Sequence, residues 1–393
     1  MRFRTIQSSA ADPLRVVIVG AGSMGRAWLA TVLAEAEVEL VGIADLDVAL
    51  ARAAAESAGL PDLPIGADAV ALARQTGAQA LINVTIPEAH HPVTTAALFA
   101  GLPVLGEKPL AENVSRALSL AAAAEVTGEL FMVSQSRRWN PHLSALRAMT
   151  AQLGRIGTMS TSFFRSERFG GFRELMAHPL LVDMAIHAFD SARFLLGSEP
   201  VSAYCQAYNP PWSWYAGDAN ATVVFEMEGG TRYVYNGSWC SPGAITSWNG
   251  AWRVSGERGT ALWDGDHQPE VHADVEVAET DGLPYSGIAG ALQVFARALR
   301  TGEPPSGEVH ENVTSLAMVE AAVQSATSGR IEHLDEVFER AHARALREET
   351  RADVREVLAG WSSVREVMRA GGGVPELRLH APSESRRTTS GGP

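Results

Sequence analysis

The chain has 393 residues, 46% of them hydrophobic, and 45 acidic against 32 basic side chains give a net charge of −13. That length accommodates two ordinary domains, the acidic balance argues against nucleic acid or an anionic membrane surface as partner, and no apolar run approaches the roughly 18 residues of a membrane span. Cys205 and Cys240 are the only cysteines and offer no disulfide or metal framework, and the N-terminus shows no secretion signal, so a cytoplasmic protein is expected.

Residues 14–20, LRVVIVG, form a short β-branched run that leads into an amphipathic helical pattern. Between the two, GAGSMG places Gly20, Gly22 and Gly25 at G-x-G-x-x-G spacing, with Ser23 and Met24 inside the same loop. One glycine permits the tight turn, one lets backbone approach a pyrophosphate, and one allows close helix–strand packing. The helix N-terminus then offers free N–H groups and partial positive charge to phosphates. A second strand, 38–45, ends in Asp45, 20 residues beyond Gly25. A carboxylate there accepts hydrogen bonds from ribose hydroxyls. Asp47 would repel a 2′-phosphate and no arginine follows until Arg52, so NAD is expected over NADP.

Helical patterns at about 48–58, 67–76, 89–100 and 114–127 alternate with strands at 80–84, 103–106 and 130–134. This alternation predicts a doubly wound parallel sheet over residues 1–135, with ligands beyond the carboxyl ends of its strands. TIPEAHH (85–91) and GEKP (106–109) sit at such ends. The second contains Lys108, the only lysine in a chain whose other basic side chains are all arginine. Lysine is a compact point charge with a tunable pKa that can donate to a single oxygen, which suits an alkoxide-like oxygen beside a nicotinamide.

From residue 136 the pattern changes. SRRWNPHLSALRAM (136–149) reads as a loop entering a helix, 157–169 as a strand, and the second half of 170–197 as a helix ending at Gly197. On that helix Asp183, His187 and Asp190 share a sector of roughly 60° at about 100° per residue. A histidine flanked by carboxylates can act as a general base; the plainer alternative is an exposed acidic face with a satisfied histidine. Strands at 201–208, 221–228, 231–239, 251–259 and 260–264 and helices at about 287–301 and 310–328 complete an α+β domain over 136–334. Trp212, Trp214, Trp239 and Trp248 could stack on a sugar face or fill a subunit interface. Residues 335–370 read as an appended, Arg/Glu-rich helical pair, and 371–393 as a polar, disordered tail.

Taken together, GAGSMG, PEAHH, GEKPLAEN and DMAIHAFDSARFLLG resemble, in order and spacing, the glucose–fructose oxidoreductase / inositol dehydrogenase / MocA-type family. GDANATVVFEMEGG and ENVTSLAMVEAAVQSATSGR look like its later segments, so the likeness covers about residues 14–334. The resemblance implies a Rossmann domain followed by an α+β domain with a large open, mostly antiparallel sheet. It implies that Lys108 lies beside the nicotinamide, that His187 is the acid/base, and that Asp183 is its partner on the same helix turn. Thr85, Pro87, His91 and Glu107 would help to hold NAD, while Arg138, Asn140 and Arg165 would reach the substrate. No metal is implied. The activity implied is hydride transfer between nicotinamide and a secondary hydroxyl of a sugar, glycoside or cyclitol. The alternatives are an NAD-dependent glycosidase with transient oxidation and a non-catalytic NAD-binding regulator. A homodimer or homotetramer through the open sheet is expected.

Overall fold

The structure, a computed structural model, describes residues 2–6, 12–273 and 286–371. The first half alternates strand and helix: β1 (Leu14–Val19), α1 (Ser23–Ala34), β2 (Val38–Ala44), α2 (Val48–Ser57), β3 (Ile65–Gly66), α3 (Ala69–Thr76), β4 (Ala80–Asn83), α4 (Pro87–Phe99), β5 (Val104–Gly106), α5 (Val114–Thr127) and β6 (Phe131–Val133). All six strands are parallel, in the order β3-β2-β1-β4-β5-β6. Helices cover both faces, which is why these strands are nearly continuous apolar runs. In β1 only Arg15 is exposed. The side chains of Asp47, Asp68 and Asn113 cap α2, α3 and α5. Strand order reverses between β1 and β4, so the crevice for a ligand opens beyond Val19 and Asn83.

A 3₁₀ turn over Ser136–Trp139 begins the second half. There follow α6 (Pro141–Gln152), β7 (Ile156–Phe164), the short α7 (Phe172–Leu175), a π-helical turn (Leu180–Ala185) and α8 (Ile186–Leu196). Then come β8 (Pro200–Tyr208), β9 (Asn220–Met227), β10 (Arg232–Ser238), β11 (Ala251–Gly256), β12 (Gly259–Trp263) and β13 (Glu270–Ala273). After α9 (Gly287–Thr301), α10 (Val309–Ser328) and β14 (Glu332–His333), the eight strands form one sheet in the order β13-β12-β11-β7-β10-β9-β8-β14. Its pairs are antiparallel except β7 with β10. Helix α8 lies on the inner face, where Phe189 meets Phe225 and Tyr235 edge-on at 4.8 and 5.4 Å. The outer face leaves Tyr204, Tyr208 and Val224 exposed.

Two later helices tie the halves together. The apolar stripe of α9, including Leu292, Phe295 and Leu299, packs into the same core as Val16, Trp28 and Ile82 of the first sheet. Helix α10 is buried from Val309 to Val319. Near its start the His310 ring lies between two carboxylates, Nδ1 2.8 Å from Glu308 and Nε2 2.9 Å from Glu125 on α5. The tail forms three helices rather than a pair: α11 (Leu334–Glu348), α12 (Ala352–Gly360) and α13 (Val364–Gly371). It folds back over the body, with Val354, Leu358 and Val364 in the main core. Arg365 pairs with Asp335 and Arg369 with Glu228. The polar stretch after Gly371 lies outside the described residues.

Candidate active site

At the end of β1 the three glycines meet three different surroundings. A Cβ on Gly20, whose φ is +106°, would stand 2.7 Å from the Val84 carbonyl oxygen, and one on Gly25 would stand 2.0 Å from the Gly20 oxygen. A Cβ on Gly22 would meet nothing within 4 Å. The loop is therefore closed against the protein at Gly20 and Gly25 and open at Gly22, the position where a pyrophosphate must approach. Helix α1 starts at exposed Ser23 and Met24 without a side-chain cap, which leaves its first N–H groups for an anion. Asp45 accepts hydrogen bonds from the Ala21 N–H at 2.7 Å and the Asp47 N–H at 2.9 Å, so its carboxylate is held at the loop. Asp47 caps α2, and Arg52 donates to the carbonyls of Pro61 and Leu63. This set fits a dinucleotide.

The neighbouring strand ends supply further groups. Thr85 donates from its hydroxyl to Asn83 at 2.7 Å, and Pro87 opens α4. His91 faces elsewhere: burial together with the Arg116 charge holds its ring at about 4, and Glu349 at the end of α11 opposes them. The adjacent His90 is the ring at the crevice, with Nδ1 2.6 Å from the Pro109 carbonyl and Nε2 3.0 Å from that of Thr85. Glu107 also departs from expectation. Its carboxylate is buried and accepts from the Trp28 indole at 2.8 Å and the Lys108 N–H at 3.1 Å. Both oxygens are thus engaged within the protein, and Glu107 braces β5 against α1.

Lys108, preceding a cis peptide to Pro109, reaches out of the first half into the second. Its Nζ donates to the Asp183 carbonyl at 2.8 Å and to Asp183 Oδ1 at 3.0 Å. Arg173 donates to the other oxygen, Oδ2, at 2.7 Å. Burial would push the Asp183 carboxyl up, but the two cations outweigh it and hold it below its usual range. His187 lies one turn on. Burial, reinforced by the charges of Arg137 and Lys108, drives its pKa well below 6.5, and its buried Nδ1 has no hydrogen-bond partner. Its imidazole is therefore neutral at physiological pH.

Asp183 is not hydrogen-bonded to His187, contrary to the expected couple. The chain over Leu180–Ala185 winds as a π turn, wider than an α turn, and the carboxylate follows its two cations. Nor does Asp190 flank the histidine. It is buried and takes a two-pronged contact from Arg138, at 2.8 and 2.6 Å, and a bond from Ser315 at 2.6 Å. Arg138 also binds Glu311 and is 1% exposed, so it belongs to the interior between α8 and α10 rather than to a substrate surface. Asn140 caps α6 through the His142 and Leu143 N–H groups. Arg165 is engaged by Glu167 and the Thr246 carbonyl and lies over Trp248.

Arg137, Arg173, His90 and Tyr235 are not among the residues expected from the sequence. Arg137 and His90 adjoin expected residues, and which member of each Arg-Arg or His-His pair faces the site depends on the phase of the 3₁₀ turn and of α4. Of the tryptophans, Trp239 is buried between Tyr215, stacked at 5.9 Å, and Phe169 at 5.3 Å. The two cysteines are buried and unpaired. Among the described residues no cluster of metal-ligating side chains occurs, and no helix is long and apolar enough to cross a membrane.

Comparison with known proteins gives a concordant result. A family model described as "Oxidoreductase family, NAD-binding Rossmann fold" matches residues 14–135, and the GFO/IDH/MocA C-terminal domain matches residues 145–262. The chain is 28% identical to a D-apiose dehydrogenase of Paraburkholderia graminis over 67% of its own length and 75% of that protein. It is 26% identical to an inositol 2-dehydrogenase of Rhizobium meliloti over 81% of its length and 98% of that protein. In fold it is similar to an oxidoreductase from Agrobacterium radiobacter solved with NAD+, L-tartaric acid and magnesium, with a TM-score of 0.74 and 20% identity, covering 82% of this chain and 98% of that one.

Proposed function

The chain belongs to the GFO/IDH/MocA oxidoreductase family, and on that premise we propose that it exchanges hydride between NAD and a secondary hydroxyl or ketone of a sugar, glycoside or cyclitol. One observation carries the reading: the lone lysine of the cofactor half is bonded to Asp183 of the other half, beside an unpartnered, neutral imidazole. The Gly20–Gly25 loop, the uncapped start of α1 and Asp45 would hold the pyrophosphate and ribose. A 2′-phosphate would face Asp45 and Asp47 with Arg52 already engaged, which supports NAD over NADP. NAD, when bound, supplies the hydride acceptor.

The chain's own residues then handle orientation and the proton. In the oxidative direction His187 would take the proton of the substrate hydroxyl as the carbinol becomes a ketone. Lys108 donates to the oxygen on which negative charge develops. Asp183, kept ionised by Lys108 and Arg173, positions the ammonium. Association of copies through the outer sheet face, with exposed Tyr204 and Tyr208, completes the proposal.

The test is a panel of inositols and pyranosides with NAD and with NADP, followed by absorbance of the reduced cofactor. Net NADH formation is expected; a glycosidase of the same fold would accumulate none. A K108R variant should bind NAD normally and lose about 10²-fold or more in kcat. Full turnover by K108R would refute the role given to Lys108.

A further inference from the structure

Two deeply buried arginines, Arg138 in the 3₁₀ turn before α6 and Arg193 on α8, are matched by acids. Arg138 has Asp190 and Glu311, and Arg193 has Glu199 at 2.6 Å. Arg137 has no carboxylate among the described residues. Among the described residues, the one hydrogen-bonding contact of its side chain is the Met184 sulfur at 4.0 Å. The side chain keeps partial exposure, yet loss of water with so little compensation pulls its guanidinium down to about 10, and only the nearby Tyr235 opposes this. The groups around it are unmatched too: the buried Tyr235 hydroxyl and His187 Nδ1 both lack hydrogen-bond partners. Two cations, Arg137 and Lys108, thus bear on the imidazole, and the nearby acid, Asp183, is already shared by Lys108 and Arg173.

We propose that Arg137 receives a negatively charged group of the substrate, and that this substrate is a polyhydroxylated carboxylic acid of the uronate or aldonate class. A neutral hydroxyl offsets an unpaired, partly desolvated guanidinium poorly, whereas a carboxylate accepts two parallel N–H bonds from its planar fork and restores the charge balance. Because the Arg137 charge bears on His187, the carboxylate would bind on the same side of the site as the base. It would also cancel one of the cations that disfavour a proton on the ring, so that substrate binding itself readies the base. This inference rests on the redox reading of the same site.

The experiment compares initial rates with NAD+ for uronates and aldonates against the matching neutral sugars and alditols, in wild type, R137K and R137M. The acids should be preferred by about tenfold or more in kcat/KM, the gain expected from charge-assisted bonds. R137M should lose that preference mainly through KM, and R137K, with charge but no fork, should fall between. Independently of turnover, millimolar D-gluconate should raise the melting temperature of the NAD-loaded wild type more than the neutral alditol does. Neutral substrates preferred over acids with NADH formed would overturn the proposal while leaving the oxidoreductase intact. NADH from no compound of either class, with NAD bound, would instead count against the redox reading. Should R137M fail to fold, absence of gluconate protection in the wild type overturns the proposal by itself.

Discussion

Raising the pH should weaken this protein through one histidine. Burial acts against a proton on His310, but the carboxylates of Glu308 and Glu125 outweigh it and push its pKa up to about 9. The native state therefore holds that proton more tightly than the unfolded chain, where the ordinary value is about 6.5. The stability so gained is complete below pH 6.5 and is lost as pH rises through about 9. A separation of about 2.5 units at 1.36 kcal/mol each sets a ceiling of roughly 3 kcal/mol. Glu125 is 30% exposed, so about 2 kcal/mol is the better expectation. Ten other histidines are present, and His267 is also drawn up by Asp264, so the difference between wild type and an H310Q variant isolates this ring. Urea midpoints between pH 6.5 and 9.5 measure the loss directly. An H310Q variant should be weaker at pH 6.5 and nearly flat above it. A flat wild-type profile, or an undiminished decline in H310Q, would refute the reasoning.

Two further outcomes follow from packing. G25A must displace the Gly20 carbonyl that stands 2.0 Å from its new Cβ, so it should cost about 1–3 kcal/mol and weaken NAD binding. G22A meets no protein atom and should weaken NAD binding with little change in melting temperature; equal destabilisation of both would contradict the different jobs given to these glycines. R138M leaves Asp190 and Glu311 buried without their cation and should cost about 3–5 kcal/mol in urea unfolding, and a loss below 1 kcal/mol would argue against the network.

Local patterns carried the first half of the molecule into view. The glycine spacing, the β-branched runs and the alternation of strand with helix act within a few positions of themselves, so a linear reading finds them. Lys108 was legible for a different reason, its isolation in an arginine-rich chain. What stayed hidden is set by distance and by phase. Arg137 and Arg138 are adjacent, yet one faces the imidazole and the other the acids of α8 and α10, and the 3₁₀ turn that separates them leaves no periodic signal. Asp183 and His187 have the spacing of helical neighbours, but a π turn and two remote cations, Lys108 and Arg173, decide where the carboxylate goes. The one parallel pairing of the second sheet, β7 with β10, joins Ile156–Phe164 to Arg232–Ser238, a partnership that neither segment reveals alone.

The placement of α9 has a mechanical corollary. By order along the chain it comes after seven of the eight strands of the second sheet, but it is lodged against Trp28 and Ile82, so the polypeptide leaves the nucleotide lobe, comes back, and exits once more through Gly302–Gly307. Lobes laced in this way cannot swing apart on a single pivot. Any opening to admit substrate has to flex several crossings in concert, which favours a shallow rocking stroke over a wide gape, and a fragment cut off after β6 would be left with a raw hydrophobic flank where that helix belongs.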